Sequence, residues 1–234
     1  MKGILYFLLL TLPEYLLAQG AIAHFSVWKP NPQQEHKFEE GYKKHLSWHQ
    51  ANKDPWSWYG WYVLSGPRNG YFVDATFDHS WKDFDNSIKP TDDQADNQLH
   101  TFPFGDYLTG YKFMALPQVS INTTNGLKSR FLRVITLQVT HIDQGQQVIE
   151  KLKAVYSARP VKTFLVFKAV DGTELNLLTI FIGMDNFEEF AQTENIQDDL
   201  VGIEGKLKSQ IIVSCTSETW VYKPNMSLFP GRKQ

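Results

Sequence analysis

Cys215 is the only cysteine in the chain. A disulfide framework within one molecule is therefore excluded, and stability has to come from packing. Neither charge is in surplus: 23 basic residues stand against 25 acidic ones, interspersed, for a formal net charge of −2. That excludes the basic stripe that neutralises a phosphate backbone, so nucleic acid is not an expected partner. No apolar run approaches the roughly 20 residues that cross a bilayer as a helix, and no stable membrane anchor is expected. A P-loop, a dinucleotide fingerprint, a nucleophile elbow and a zincin motif are all missing.

Apolar residues make up 42% of the chain, enough to build a real core. Aromatics reach 14%, with seven Trp, a residue that marks a packed core or a ligand surface because its ring is large and its N–H wants a partner. The first residues read as a leader. Lys2 supplies a positive start, Ile4 to Leu12 a short apolar run, Pro13 a break, and Ala18, Gly20 and Ala21 the small residues of a cleavage site. Residues 1–20 are thus expected to be a signal peptide and the mature protein to be periplasmic or secreted.

An internal repeat organises the rest. Pro117-Gln118-Val119-Ser120-Ile121 returns as Pro224-Asn225-Met226-Ser227-Leu228. Ser80-Trp81-Lys82-Asp83-Phe84 returns as Asn186-Phe187-Glu188-Glu189-Phe190, each a helix cap followed by an aromatic and acidic residues. Both pairs are offset by about 106 to 107 positions, which chance matches would rarely share. Between these anchors, strands are expected over Ile22 to Trp28, Trp56 to Leu64 and Tyr71 to Asp78, and within Tyr107 to Gln118. A helix spans His36 to Asn52, and a short one begins near Trp81. Pro90 to Gln98 reads as a polar connection. In the second copy, Phe131 to Thr140, Thr163 to Val170, Leu175 to Met184 and Ile211 to Tyr222 are strands, and Gln146 to Ala158 is a helix.

Strand, helix, strand, strand, helix, strand is the ferredoxin-like βαββαβ order. The expected fold class is α+β: two tandem ferredoxin-like halves, 21–121 and 131–228, packed sheet to sheet as an intramolecular α/β barrel. A linker over 122–130 joins them, and 229–234 form a tail. Each sheet has one face under its helices and one apolar face left over, which the other half can cover. Such a chain does internally what single units do by dimerising, so a monomer or weak homodimer is expected.

In this element order, and in the stretch Lys44-His45-Leu46-Ser47-Trp48-His49 through Trp56-Ser57-Trp58-Tyr59-Gly60-Trp61, the chain resembles exported members of the dimeric α/β-barrel superfamily. That superfamily includes antibiotic-biosynthesis monooxygenase-like and NIPSNAP-like domains. The resemblance implies a range of outcomes: cofactor-free monooxygenases, haem-degrading enzymes, tandem haem peroxidases and binding proteins. No catalytic motif transfers residue by residue. Haem is the one cofactor it would allow, yet the second half offers His141 as its sole histidine.

Alternation along the first strand separates Ala23, Phe25 and Val27 from His24, Ser26 and Trp28. The third strand separates Tyr71, Val73, Ala75 and Phe77 from Phe72, Asp74, Thr76 and Asp78. The uniformly apolar sets suit the helix side, which sends the mixed sets between the sheets. There His24 and Asp74 are the candidate catalytic pair, a carboxylate setting the tautomer of an imidazole base. Ser26, Trp28, Trp58 and Thr76 are the candidate ligand-binding residues beside them. By the repeat offset, Asp74 corresponds to about Ile180 and Trp58 to about Leu165, so the first copy is polar and aromatic where the second is aliphatic. Trp56, Trp58, Tyr59, Trp61 and Tyr62 crowd one strand, a wall suited to a flat ligand or to a partner protein.

His45 and His49 stand one helical turn apart and could share a metal, but no third ligand is evident and no metal is expected. Asp92, Asp93 and Asp96 lack the Gly and terminal Glu of a calcium loop and read as solvated. The expected partner is a small apolar or aromatic molecule in the inter-sheet cavity of the first half. A monooxygenase or haem-degrading enzyme and a protein-interaction module are the alternatives.

Overall fold

The computed structural model describes residues 21–121 and 126–231. The leader over 1–20, the Asn122 end of the linker and the last three residues lie outside the described residues. Among the described residues eight strands form: β1 Ile22–Pro30, β2 Trp58–Ser65, β3 Phe72–His79, β4 Gly105–Ala115, β5 Phe131–Val139, β6 Phe164–Asp171, β7 Leu177–Met184 and β8 Ile212–Tyr222. Five α-helices accompany them: α1 Glu35–Ala51, α2 Trp81–Asp85, α3 Pro90–His100, α4 Ile142–Ser157 and α5 Ile196–Leu207. The strands close into one antiparallel barrel in the order β1-β3-β2-β8-β5-β7-β6-β4. Each half is a ferredoxin-like unit, and the α+β reading holds.

The halves are joined more intimately than by face-to-face packing. β2 pairs with β8 and β4 with β6, so the sheet edges of one half hydrogen-bond to those of the other. The repeated pentapeptides serve this closure. Ser120 Oγ donates to Leu116 O at 2.9 Å and accepts from Val166 N at 3.0 Å, while Ile121 bridges Phe164. In the other copy Ser227 Oγ donates to Lys223 O at 3.0 Å and accepts from Gly60 N at 3.0 Å, while Leu228 bridges Trp58. Each half therefore ends in a short 3-10 turn that clasps the second strand of the other half. Gly60 makes room for one clasp, since a Cβ there would sit 2.4 Å from Met226 O.

Ala23, Phe25, Val27, Trp61, Val73 and Ala75 point into the barrel, where they meet Leu132, Val134, Phe167, Phe181 and Trp220 of the second half. Phe25 stacks on Phe181 and Tyr111, with centroids 5.8 and 5.5 Å away. Near one end, Arg68 grips Glu218 with two hydrogen bonds of 3.0 and 2.6 Å, and Trp220 Nε1 donates to the same carboxylate at 2.9 Å. This reverses the expected facing. The uniformly apolar sets fill the barrel, because its interior is the volume most completely closed to water and both halves contribute to it. The mixed sets lie outside, under the helices.

Two further differences concern the helices. Pro90 to Gln98 belongs to helix α3, not to a polar connection. Leu99 is exposed and none of the helix's residues is buried, so no apolar stripe announced it. In the second copy, the segment from Glu188 to Thr193 is 3-10 and the α-helix begins only at Ile196.

Replacing Ser120 or Ser227 with Ala leaves a backbone N–H without its acceptor. Each change is expected to lower the unfolding free energy by about 1–3 kcal/mol in urea titrations, with a single transition retained.

Candidate functional site

Outside the barrel, the two halves treat the same face differently. In the second half, α4 and α5 cover it with a continuous apolar layer that includes Ile149, Leu152, Tyr156, Phe164, Ile180 and Ile182. In the first half, α1 and α3 leave a cavity of about 240 Å³. Its floor is the outward face of the sheet, with His24, Ser26 and Trp28 from β1, Trp58 from β2, Asp74 from β3 and Tyr107 from β4. Tyr42 and His45 of α1 and Asp93, Gln94 and Asn97 of α3 form the other wall. Phe102 and Tyr107, both substantially exposed, sit at the mouth.

Five of the residues expected at a site, His24, Ser26, Trp28, Trp58 and Asp74, do line one cavity. Thr76 shares their face and is buried beside them without lining it. The cavity lies between sheet and helices, not between the sheets, for the reason given by the barrel core. Of the residues contributed by α1, α3 and the turn after it, only His45 stood out in the sequence, and then as a possible metal ligand and not as part of this cavity. Pro90 at the first helical position and Asp92 and Asp93 in the first turn were the signals for α3.

Asp74 does not orient His24. β1 and β3 set Asp74 opposite Ser26, and His24 opposite Thr76. Trp28 Nε1 donates to Asp74 Oδ2 at 2.7 Å, which fixes the indole across the cavity floor. Burial pushes the Asp74 carboxyl up to about 7, with the charge of Asp93 adding to it and hydrogen bonds from Trp28 and Ser26 opposing it. Burial lowers His24 to about 4, aided by Lys112 and His79. The two groups are thus a carboxyl poised near neutrality and an uncharged imidazole, not an ion pair.

Three residues of the cavity lining each carry a buried polar atom with no hydrogen-bond partner within the protein: Tyr42 Oη, Asp93 Oδ1 and Asn97 Oδ1. Such atoms are rare in folded proteins and costly when nothing satisfies them. Around them the lining is aromatic. Trp28 meets Phe102 and Tyr107 edge to face at 5.3 and 5.1 Å, and Trp58 lies over His49 at 4.4 Å.

Behind the cavity, His45 and His49 come together with Asp93, one of the residues the sequence gave no reason to place there. His45 Nδ1 lies 2.8 Å from Asp96 Oδ2, and His49 Nδ1 lies 2.7 Å from Asp54 Oδ2. Burial, then His49, lowers His45 to about 4 against the raising effect of Asp96. Asp54 is itself held by Trp58 Nε1 and the Trp56 amide, both at 3.0 Å. Burial works against its charge, but the His49 imidazole beside it and the hydrogen bonds from Trp56 and Trp58 outweigh it and keep the carboxyl below its ordinary value.

The cavity is narrow for a haem. The macrocycle is larger than the cavity, and His141 stands exposed at the start of α4. The aromatic strand is not an open wall either, since none of Trp56, Trp58, Tyr59, Trp61 and Tyr62 is exposed.

No protein-family model matches the sequence, and no curated protein matches it. Solved structures do share the fold. An anthrone oxidase-like protein superposes with a TM-score of 0.62 at 13% identity, over 92% of this chain and 96% of its own. A monooxygenase-like protein of Lactobacillus acidophilus NCFM gives 0.57 at 9% identity, over 89% and 97%. A mutant chlorite dismutase from Candidatus Nitrospira defluvii gives 0.56 at 8%, over 90% and 94%. These likenesses establish the α+β barrel fold and no more than that.

The position of Asp74 makes stability depend on pH. Between its ordinary value of 3.8 and about 7 the folded chain holds a proton that the unfolded chain has released. This contribution is complete below the lower value and is lost as pH rises through the upper one. Asp74→Asn keeps an acceptor for Trp28 and cannot ionise. It is expected to be more stable than the parent at pH 8 by about 1–3 kcal/mol and to flatten the slope between pH 4 and 8, measured by urea unfolding.

Proposed function

We propose that this protein binds a small aromatic molecule carrying one or two hydrogen-bonding groups in the cavity between the first-half sheet and helices α1 and α3. The observation that carries this reading is the set of unpartnered atoms Tyr42 Oη, Asp93 Oδ1 and Asn97 Oδ1 in an aromatic-lined space. A ligand supplying a donor and an acceptor there would satisfy groups that the fold leaves wanting. The cavity falls below the roughly 300–1,000 Å³ typical of drug-sized ligands, which favours one or two rings. The second half supports the reading by contrast, because the same face closes with apolar side chains when no space is needed.

A second reading is favoured by the likeness to the anthrone oxidase-like and monooxygenase-like structures: dioxygen oxidises a ring CH2 of the bound molecule to C=O, one oxygen atom entering the product and the other leaving as water. On that reading His24, uncharged at neutral pH, accepts a proton from the substrate, and Asp74 near its midpoint returns one. We also read the leader as an export signal, which makes the binder periplasmic or secreted, and place the chain among the superfamily's monooxygenase-like and NIPSNAP-like branches.

Tyr42→Phe tests the binding reading directly. Removing a buried hydroxyl that has no partner is expected to leave stability unchanged or raise it by about 1 kcal/mol, while affinity for the ligand falls several-fold. Quenching of tryptophan fluorescence by a panel of one- and two-ring phenols and quinones reads the affinity. Saturable binding of one molecule per chain, weakened in the variant, is the expected result. A loss of stability with unchanged binding would remove the proposal. Oxygen uptake in the presence of the tightest binder separates an enzyme from a carrier.

A further inference from the structure

We propose that His45, His49 and Asp93 form a binding site for one divalent first-row transition cation at the inner wall of the cavity. The spacing is the first reason. His45 Nε2 and His49 Nε2 are 3.1 Å apart, and Asp93 Oδ1 lies 3.2 Å from the former and 3.5 Å from the latter. Nitrogen and oxygen ligands held at 2.0–2.1 Å around a tetrahedral ion are separated by about 3.3–3.4 Å. The triangle already has the dimensions of one face of such a site.

The chemistry of the atoms points the same way. Asp96 Oδ2 meets the far nitrogen of His45, Nδ1, in a 2.8 Å hydrogen bond, and Asp54 Oδ2 lies 2.7 Å from Nδ1 of His49 as a charge contact off the hydrogen-bond line. A proton on each Nδ1 leaves both Nε2 atoms as lone pairs, directed at one another and at a carboxylate oxygen. Three acceptors then converge, only one of them, His45 Nε2, met by a donor of Asn97, and Asp93 Oδ1 is among the buried atoms without a partner. A carboxylate behind each imidazole is the arrangement that fixes ligand tautomers at metal sites. The Asn97 amide approaches His45 Nε2 to 2.8 Å while its oxygen is unpartnered, and a half-turn of that amide would present the oxygen to the same point.

Packing does not account for the imidazoles. The buried positions of α1, Tyr42, His45 and His49, correspond about 107 residues later to Ile149, Leu152 and Tyr156 of α4, which fill a solid core. The second copy shows that this helix can be seated without histidine. Two imidazoles with one carboxylate suit zinc, cobalt or ferrous iron, and not calcium or magnesium, which take oxygen ligands. Because His45, Asp93 and Asn97 also line the cavity, the coordination position left open faces the space where a small molecule would lie. The proposal does not depend on the aromatic-ligand reading, and failure to bind phenols would leave it standing.

The test uses the full chain without an affinity tag, cleared of metal by a chelator and titrated with Zn²⁺ by calorimetry and with Co²⁺ by visible absorption. One ion per chain is expected, together with cobalt bands of low coordination number, a raised melting temperature and no competition from Mg²⁺. Asp93→Asn sits at the more exposed corner and is expected to weaken binding at least tenfold with the fold intact. Asp96→Asn, which acts only through His45, is expected to weaken it about 10–100-fold. X-ray absorption on the cobalt form should show two imidazoles and provides a readout independent of any variant. Failure of the folded parent to bind either ion, binding unchanged in both variants, or a cobalt spectrum without imidazole scattering would each overturn the assignment.

Discussion

Closure of the sheet is the constraint from which the rest of this molecule follows. A ferredoxin-like unit alone has two sheet edges and an uncovered apolar face, and both are liabilities in water. Here β2 with β8 and β4 with β6 consume all four edges, and the clasps at Ser120 and Ser227 tie each half's end to the other's second strand. Once the barrel is closed its interior has to be packed, and Phe25, Trp61, Phe167, Phe181 and Trp220 occupy most of it, leaving recesses of about 160 and 210 Å³ beside them. The space for chemistry then falls on the outer face, where helices can be set at a chosen distance from the sheet.

Duplication supplies a comparison inside one chain. Both halves have the same topology, and five of the six buried positions of α1 recur in α4, yet one helix face is closed by aliphatic packing and the other is left open, polar and aromatic. What the fold requires is visible in the second half. What exceeds that requirement, in the first half, is Asp74 under Trp28, the hydroxyl of Tyr42, and the histidines backed by Asp54 and Asp96. The excess is concentrated on one side of one sheet.

The order of elements was legible because hydrophobic period and helix punctuation are local properties. The pentapeptide repeat located both clasps before their role was known. Alternation divided β1 into its two sets correctly, but it carries no information about which set faces inward, and that depends on edges paired across the whole chain. The same limit produced a one-residue error. The clasps align Trp58 with Phe164, not Leu165, and a shift of one along a strand changes the face. Helix α3 escaped notice because polar contacts to α1 hold it, and Asp93 could join His45 and His49 only once that helix was placed.

Gly41 gives these contacts their scale. A methyl group at that position would lie 1.9 Å from the carbonyl oxygen of His100, so α1 and α3 touch backbone to backbone at this crossing. The crossing acts as a fulcrum. Further along the same pair of helices His45 meets Asp96 and Asn97, and His49 comes near Asp93. One hydrogen atom stands where other residues carry carbon, and any side chain added there would have to push the two helices apart one turn from His45.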